Sequence, residues 1–269
     1  MAGPEPGHQT PTAMTAKVFL SLFNKALVLI TMCSLLSNTY AMEKSHKGKQ
    51  LTHNEGEVTV LTQYEVKKGH KKKFRKLLRK YVRQANADKS NIMAEAYYEQ
   101  ENASLLWVIE RWDSKSALEK GRNGTKFKLI KALAEKKLVQ PARTIYVKDL
   151  EPLSKEAWRR APGEEDKPIT IMLFVDSKAG TEAAFKEVYH TAMPQFRSEP
   201  GVINYQLSQL EDDPTQFVTY EKFRSEDAFQ YHLHFPPIQP VIDYLNTSIK
   251  KQPFQTGLHR LIAFAPKNR

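Results

Sequence analysis

The sequence predicts an α+β protein in which two tandem βαββαβ units close into one pseudo-dimeric barrel, preceded by an export signal. A repeat carries that expectation. Glu110-Arg111-Trp112-Asp113-Ser114 with Ala117 returns as Glu221-Lys222-Phe223-Arg224-Ser225 with Ala228, an offset of 111 positions. The same offset takes Phe74, Leu77, Leu78, Tyr81 and Val82 onto Phe185, Val188, Tyr189, Ala192 and Met193, and Gly69 onto Gly180. Chance rarely keeps one register across so many apolar positions. Each copy also repeats one order of hydrophobic periodicities, alternating for strands and helical between them.

From the N-terminus, residues 1–41 read as an extension and a signal. Met1 to Ala13 is polar and rich in Pro and Gly, and Met14 is a second candidate start. Lys17 supplies a positive n-region, Val18 to Leu36 is mostly apolar, and Ser37 to Ala41 ends in a small residue suited to cleavage. A retained membrane anchor is the alternative, but Lys25 leaves only Ala26 to Leu36 uninterrupted, short for ~30 Å of hydrocarbon. Met32 ahead of Cys33 argues against lipoprotein processing. Export to a periplasmic or secreted location is the expectation.

The first unit spans residues 55–149. A strand from Val58 to Glu65 opens it, and a helix follows with apolar residues at i, i+3, i+4, i+7 and i+8. Strands Ile92 to Glu99 and Ser104 to Trp112 reverse at Glu101-Asn102. Ser114 is a candidate N-cap for a second helical region, and Arg143 to Val147 closes the unit. Leu150 to Lys167, charged and with two prolines, reads as a linker. The second unit, 168–266, repeats the order with Ile169 to Val175, a helix, Val202 to Leu210, Gln216 to Phe223, a helical region capped by Ser225, and Leu258 to Phe264. This is the ferredoxin-like split βαβ arrangement, with both helices on one face of an antiparallel sheet. The other face would be bare and apolar. Two copies on one chain can cover each other, because linkage raises their effective concentration to about millimolar.

Composition removes several functions. The 269-residue chain has one Cys, which excludes a disulfide framework and a multi-cysteine zinc site. It lacks the glycine-rich phosphate loops of nucleotide-binding folds. His232 and His234 lie two apart on a helical segment with neither a third histidine nor a carboxylate adjacent in sequence, so no metal is expected. The net charge of +11 allows an anionic partner.

That charge is concentrated. Lys67, Lys68, Lys71, Lys72, Lys73, Arg75, Lys76, Arg79, Lys80 and Arg83 occur without an intervening acid. An anionic surface is the functional reading, with Lys71, Lys72, Lys76, Arg79 and Lys80 as its contacts. A merely solvated helix face is the alternative. No aromatic residue interleaves the basic face, which argues against nucleic acid.

The second copy resembles the antibiotic biosynthesis monooxygenase domain, a member of the dimeric α/β-barrel group. Glu199-Pro200-Gly201-Val202 is similar to that family's EPG turn, and Phe217 through His232 matches its E-x-[WF]-x-S-x-x-A-x-x-x-H segment. The likeness covers roughly 100 residues. The first copy matches less well: Lys89-Ser90-Asn91 replace the turn and Gly121 stands where His232 would be. The resemblance implies cofactor-independent oxygenation of a small quinol-like, aromatic or polyketide-like molecule. His232 takes the family's histidine position, and a base of near-neutral pKa would suit substrate deprotonation. Tyr189, Tyr205, Phe174 and Glu221 are then candidate substrate contacts, with core packing or ion pairing as their ordinary alternative. A haem-degrading branch of this fold has Trp where His232 stands and His ten residues on. Here those positions are His232 and Ile242, and in the first copy Gly121 and Lys131, which disfavours haem. A non-enzymatic ligand-binding or surface-docking member of the fold is the alternative.

Overall fold

The computed structural model describes residues 56–252 and 257–266. The expected signal segment and its cleavage site lie outside the described residues. Among those described, no helix is long and apolar enough to cross a membrane.

The elements run β1 (Val58–Glu65), α1 (Lys71–Ala87), β2 (Asn91–Glu99), β3 (Leu105–Trp112), α2 (Lys115–Asn123), α3 (Thr125–Lys137) and β4 (Arg143–Leu150). A short α4 (Lys155–Trp158) follows. The second half repeats the plan with β5 (Ile169–Asp176), α5 (Glu182–Ser198), β6 (Val202–Leu210), β7 (Gln216–Phe223), α6 (Glu226–His232), α7 (Gln239–Thr247) and β8 (Leu258–Ala265). The second helical region of each copy is thus two helices. Ser114 and Ser225 cap the first of each pair, accepting from the amides of Ala117 and Ala228. Gly69 and Gly180 turn the chain into α1 and α5 with φ of 85° and 88°, a conformation that favours glycine. Bulges fall at matching points of β2, between Asn91 and Met93, and β6, between Val202 and Asn204.

The strands close in the order β1-β3-β2-β8-β5-β7-β6-β4, with every pair antiparallel. Each half is a four-stranded sheet whose last strand lies beside its first. β4 also pairs with β6, Val147 opposite Leu210, and β8 with β2, Ala96 opposite Ala265. These two seams leave neither sheet with an open edge.

Alternation along the strands divides the core. On the helix side of the first half, Tyr64, Phe74, Leu78, Tyr81, Val108 and Trp112 pack with Ile130 and Leu133 of α3. Inside the barrel, Leu61, Tyr97, Trp107, Ile145, Met172, Val218, Tyr220 and Leu261 meet. The interior also holds charge. Arg111 pairs with Asp149 at 2.6 Å and Lys222 with Glu95 at 2.6 Å. Burial opposes ionisation of Glu95, but Lys222 and the hydroxyls of Tyr97 and Tyr220 outweigh it, and the carboxyl sits below its ordinary range. Tyr97 and Tyr220, one from each half, meet at 2.6 Å.

Two expectations need correction. The segment read as a linker sends Trp158 onto the barrel core, 2% exposed, with the Arg111 guanidinium 3.7 Å from its ring centroid. Arg159 and Asn204 secure α4 through the carbonyls of Ile92, Asn91 and Ala157. Within the basic helix, Arg79 is not a free surface charge: its Nε donates to the Phe264 carbonyl at 3.2 Å. Arg75 likewise lies 4.0 Å over the Tyr98 ring and donates to the Ala103 carbonyl. Lys72, Lys76 and Lys80 are exposed, and Lys71 is half-buried.

Trp158→Ala should destabilise the protein by about 3–5 kcal/mol, because it empties the barrel end and uncovers Arg111. Urea unfolding of the two proteins measures the difference, and a loss under ~1 kcal/mol would mean that α4 contributes little to the closed barrel.

Candidate functional site

The helix side of the second half holds four of the five residues singled out for its pocket. α5 buries Phe185, Tyr189, Ala192, Met193 and Phe196 along one face, the spacing its sequence predicts. The helix ends at Ser198, and Glu199, Pro200 and Gly201 turn the chain into β6. A Cβ on Gly201 would lie 2.4 Å from the Ala228 Cβ, so glycine lets α6 rest directly on the turn. That close approach joins two buried polar groups. His232 Nδ1 lies 2.7 Å from Glu199 Oε1, with their side chains 2% and 1% exposed.

Three rings surround the imidazole. Phe196 meets it edge to face at 4.8 Å between centroids, and Tyr205 and Phe223 lie at 5.3 Å. Tyr205 donates its hydroxyl to Glu221 Oε1 at 3.2 Å, and Thr219 donates to the same oxygen at 2.6 Å. Burial pushes the Glu221 carboxyl up; His232 and the two hydroxyls pull it down without cancelling that effect. Burial and the nearby Glu221 likewise push the Tyr189 and Tyr205 phenols above their ordinary value.

His232, Tyr189, Tyr205 and Glu221 therefore form one cluster. Phe174 does not join them. Its side chain packs with the barrel interior, 6.2 Å from the Trp107 ring and 5.6 Å from His259. Alternation along β5 turns it away from α5, so its placement beside Tyr189 and Tyr205 is corrected. His234 bonds the carbonyl of Gln230 and is exposed. Glu199 was read only as part of a turn signature. Its second oxygen, Oε2, is buried without a hydrogen-bond partner among the described residues.

The first half fills the equivalent space differently. Glu110, the counterpart of Glu221, accepts from Tyr81 at 2.5 Å and Trp112 at 3.1 Å, and pairs with Arg122 at 2.7 Å. Gly121 stands at the position of His232, and a Cβ there would come within 2.9 Å of Trp112 Cη2. The Trp112 indole thus occupies room that the smaller Phe223 leaves open in the second half.

Comparison with known proteins bears on the family and the fold. The family model for antibiotic biosynthesis monooxygenases matches residues 57–133 and 168–242, once in each half. An uncharacterised protein of Synechocystis is 27% identical over 88 residues, 33% of this chain and 55% of that protein. The chain thus matches about half the length of this relative. Solved structures share the fold over both halves. A candidate monooxygenase from Lactobacillus acidophilus superposes with a TM-score of 0.64 at 13% identity, covering 78% of this chain and 94% of that one. One from Fusobacterium nucleatum gives 0.64 at 13% identity, covering 77% and 92%. An anthrone oxidase-like protein gives 0.53 at 11% identity, covering 80% and 96%. At such identities the likeness establishes the fold alone.

Glu221 offers a test of the site's electrostatics. A carboxyl raised on folding contributes stability below its unfolded pKa and loses it as pH rises through the folded one. Glu221→Gln keeps an acceptor for Tyr205 and Thr219 and removes the buried charge. Its Tm should exceed that of the unmodified protein at pH 7 and converge with it near pH 4, as followed by thermal melts across that interval.

Proposed function

This chain belongs to the antibiotic biosynthesis monooxygenase family, and from that premise we propose that its second half is a cofactor-independent monooxygenase for a small quinol-like, aromatic or polyketide-like molecule. One observation carries the reading: a buried His232–Glu199 pair beside Tyr205 and Glu221. If Glu199 accepts the Nδ1 proton, Nε2 becomes the basic atom of the ring, and the carboxylate stabilises the imidazolium that proton abstraction creates. His232 takes a proton from the substrate hydroxyl. The resulting anion, its charge shared with a carbon that has lost one C–H proton, reduces dioxygen and forms a carbon–oxygen bond as a hydroperoxide; breaking the O–O bond with the remaining C–H of that carbon releases water and leaves a carbonyl. One oxygen atom ends in product and one in water, with the substrate supplying all four electrons. The protein's share is deprotonation, orientation of the anion and exclusion of bulk water.

Substrate reaches His232 only if the surrounding rings part. The histidine ends α6, a helix of seven residues, and after three residues Pro236-Pro237 open a 3-10 turn. Opening at α6 would disturb fewer contacts than moving β6 or α5. The tight ring contacts also favour a second reading, a non-enzymatic member of the fold whose pocket is filled by its own side chains.

Oxygen uptake with a panel of quinols separates the two. On a substrate that is turned over, His232→Ala should lower kcat by about 10²–10⁴-fold. Glu199→Gln, which preserves shape but changes the tautomer balance, should lower kcat at least about tenfold with little change in KM. Equal rates in wild type and His232→Ala would remove the histidine from the reaction, and no uptake on any quinol would favour the second reading.

A further inference from the structure

The charge of this protein is distributed unequally between two otherwise matching halves. The excess of +11 over the whole chain lies within residues 57–149, and the remainder is balanced. The fold turns that excess outward. α1 buries Phe74, Leu78, Tyr81, Val82 and Ala85, and these positions hold the helix on the sheet. Lys72, Lys73, Lys76, Lys80 and Arg83 fall on the opposite side and are exposed. α3 lies beside α1 in the same outer layer, with Lys126, Lys128, Lys131 and Lys136 exposed and one acid, Glu135, in its length. The corresponding helix of the second half, α5, carries Glu182 and Glu187 against Lys186 and Arg197.

Two further details narrow the partner. Four arginines of this half are engaged within the protein: Arg75 on Tyr98, Arg79 on the Phe264 carbonyl, Arg111 on Asp149 and Arg122 on Glu110. The exposed charge is therefore mostly lysine, which acts as a hydrated point charge, whereas arginine's fork suits bidentate phosphate recognition. Leu129 within α3 and Val139, two residues past its end, are large apolar side chains 49% and 58% exposed. The charged backbone of a duplex or an acidic polysaccharide offers them little apolar surface to bury against. At a lipid interface they can enter the boundary between headgroups and acyl chains while the lysines remain with the anionic headgroups.

We propose that the α1–α3 layer of the first half is a docking surface for anionic phospholipid membranes. The lysines draw the protein to the bilayer, and Leu129 and Val139 seat it there. The second half, whose outer helix α5 lacks the charge excess, takes no part in the contact. The inference is independent of the catalytic reading.

Vesicle sedimentation with the full chain tests it. Binding to phosphatidylglycerol–phosphatidylcholine vesicles should exceed binding to pure phosphatidylcholine and should fall steeply as salt is raised. Replacing Lys72, Lys73, Lys76 and Lys80 together with Gln should weaken binding to the anionic vesicles about a hundredfold or more, with the thermal melt unchanged. Lys186→Gln with Lys251→Gln, a control on the second half, should bind like wild type. Leu129→Ser should lower the binding that survives high salt. An apolar N-terminal segment acting alone would bind both vesicle types equally and ignore the lysine substitutions. That result would overturn the proposal, as would tighter binding to duplex DNA than to vesicles at equal phosphate concentration.

Discussion

Every strand in this molecule depends on the two seams where one half's last strand meets the other half's third element. β4 and β8 each pair with the first strand of their own unit and with the edge of the opposite one. A four-stranded sheet with helices on one face has two unpaired edges and one uncovered apolar face. Neither half can satisfy both requirements alone. Closure satisfies them together, because the seam that pairs the edges also brings the two bare faces into one interior. The polar groups there depend on the same event: Glu95 finds Lys222, Tyr97 finds Tyr220 and Glu99 finds His259, each from the opposite half. Separation would return these groups to water, whereas removing one partner inside the closed barrel would leave the other buried and unpaired, a larger penalty than the loss of the contact itself.

Duplication supplied two copies of one carboxylate, and the halves have diverged in what surrounds it. Glu110 has a guanidinium, a phenol and an indole, which satisfy it completely and fill the space beside it. Glu221 has two hydroxyls and lies near an imidazole, so its charge is only partly compensated. A fully neutralised carboxylate is a structural element. A partly compensated one, its carboxyl pushed up by burial, is the more readily protonated of the two.

Much of the architecture was legible because it rests on local rules. Offset-related positions such as Gly69 and Gly180, or Ser114 and Ser225, adopt the same backbone geometry or cap in both copies. The alternation of Val58 to Glu65 and the helical spacing from Phe74 to Ala85 map directly onto buried faces. Less legible were features that need two distant segments at once. Trp158 sits in a charged, proline-bearing stretch that has every local mark of a connector, and only its contacts with Arg111 and Tyr220, far apart in the chain, make it core. Glu199 was visible as a turn, but its contact with His232 depends on α6 resting against Gly201, which no local pattern encodes. Phe174 was misplaced because strand alternation states that neighbours face opposite ways, not which parity faces the helices. The basic helix was visible as charge; which arginines turn inward was decided by Tyr98 and Phe264, far along the chain.

The closed barrel also determines where function can reside. One chain holds both halves, so each is free to change alone. The interior is occupied by aromatic rings, two buried ion pairs and the Trp158 plug, and it serves closure. The proposed chemistry is thereby displaced to the layers between sheet and helices. In the first half that layer is filled by Trp112 and neutralised by Arg122, so its selectable surface is the outside of its helices. In the second half Phe223 leaves room for His232, and the outside is nearly balanced in charge. A tandem chain can assign an inner task to one copy and an outer task to the other, an option that two identical chains do not have.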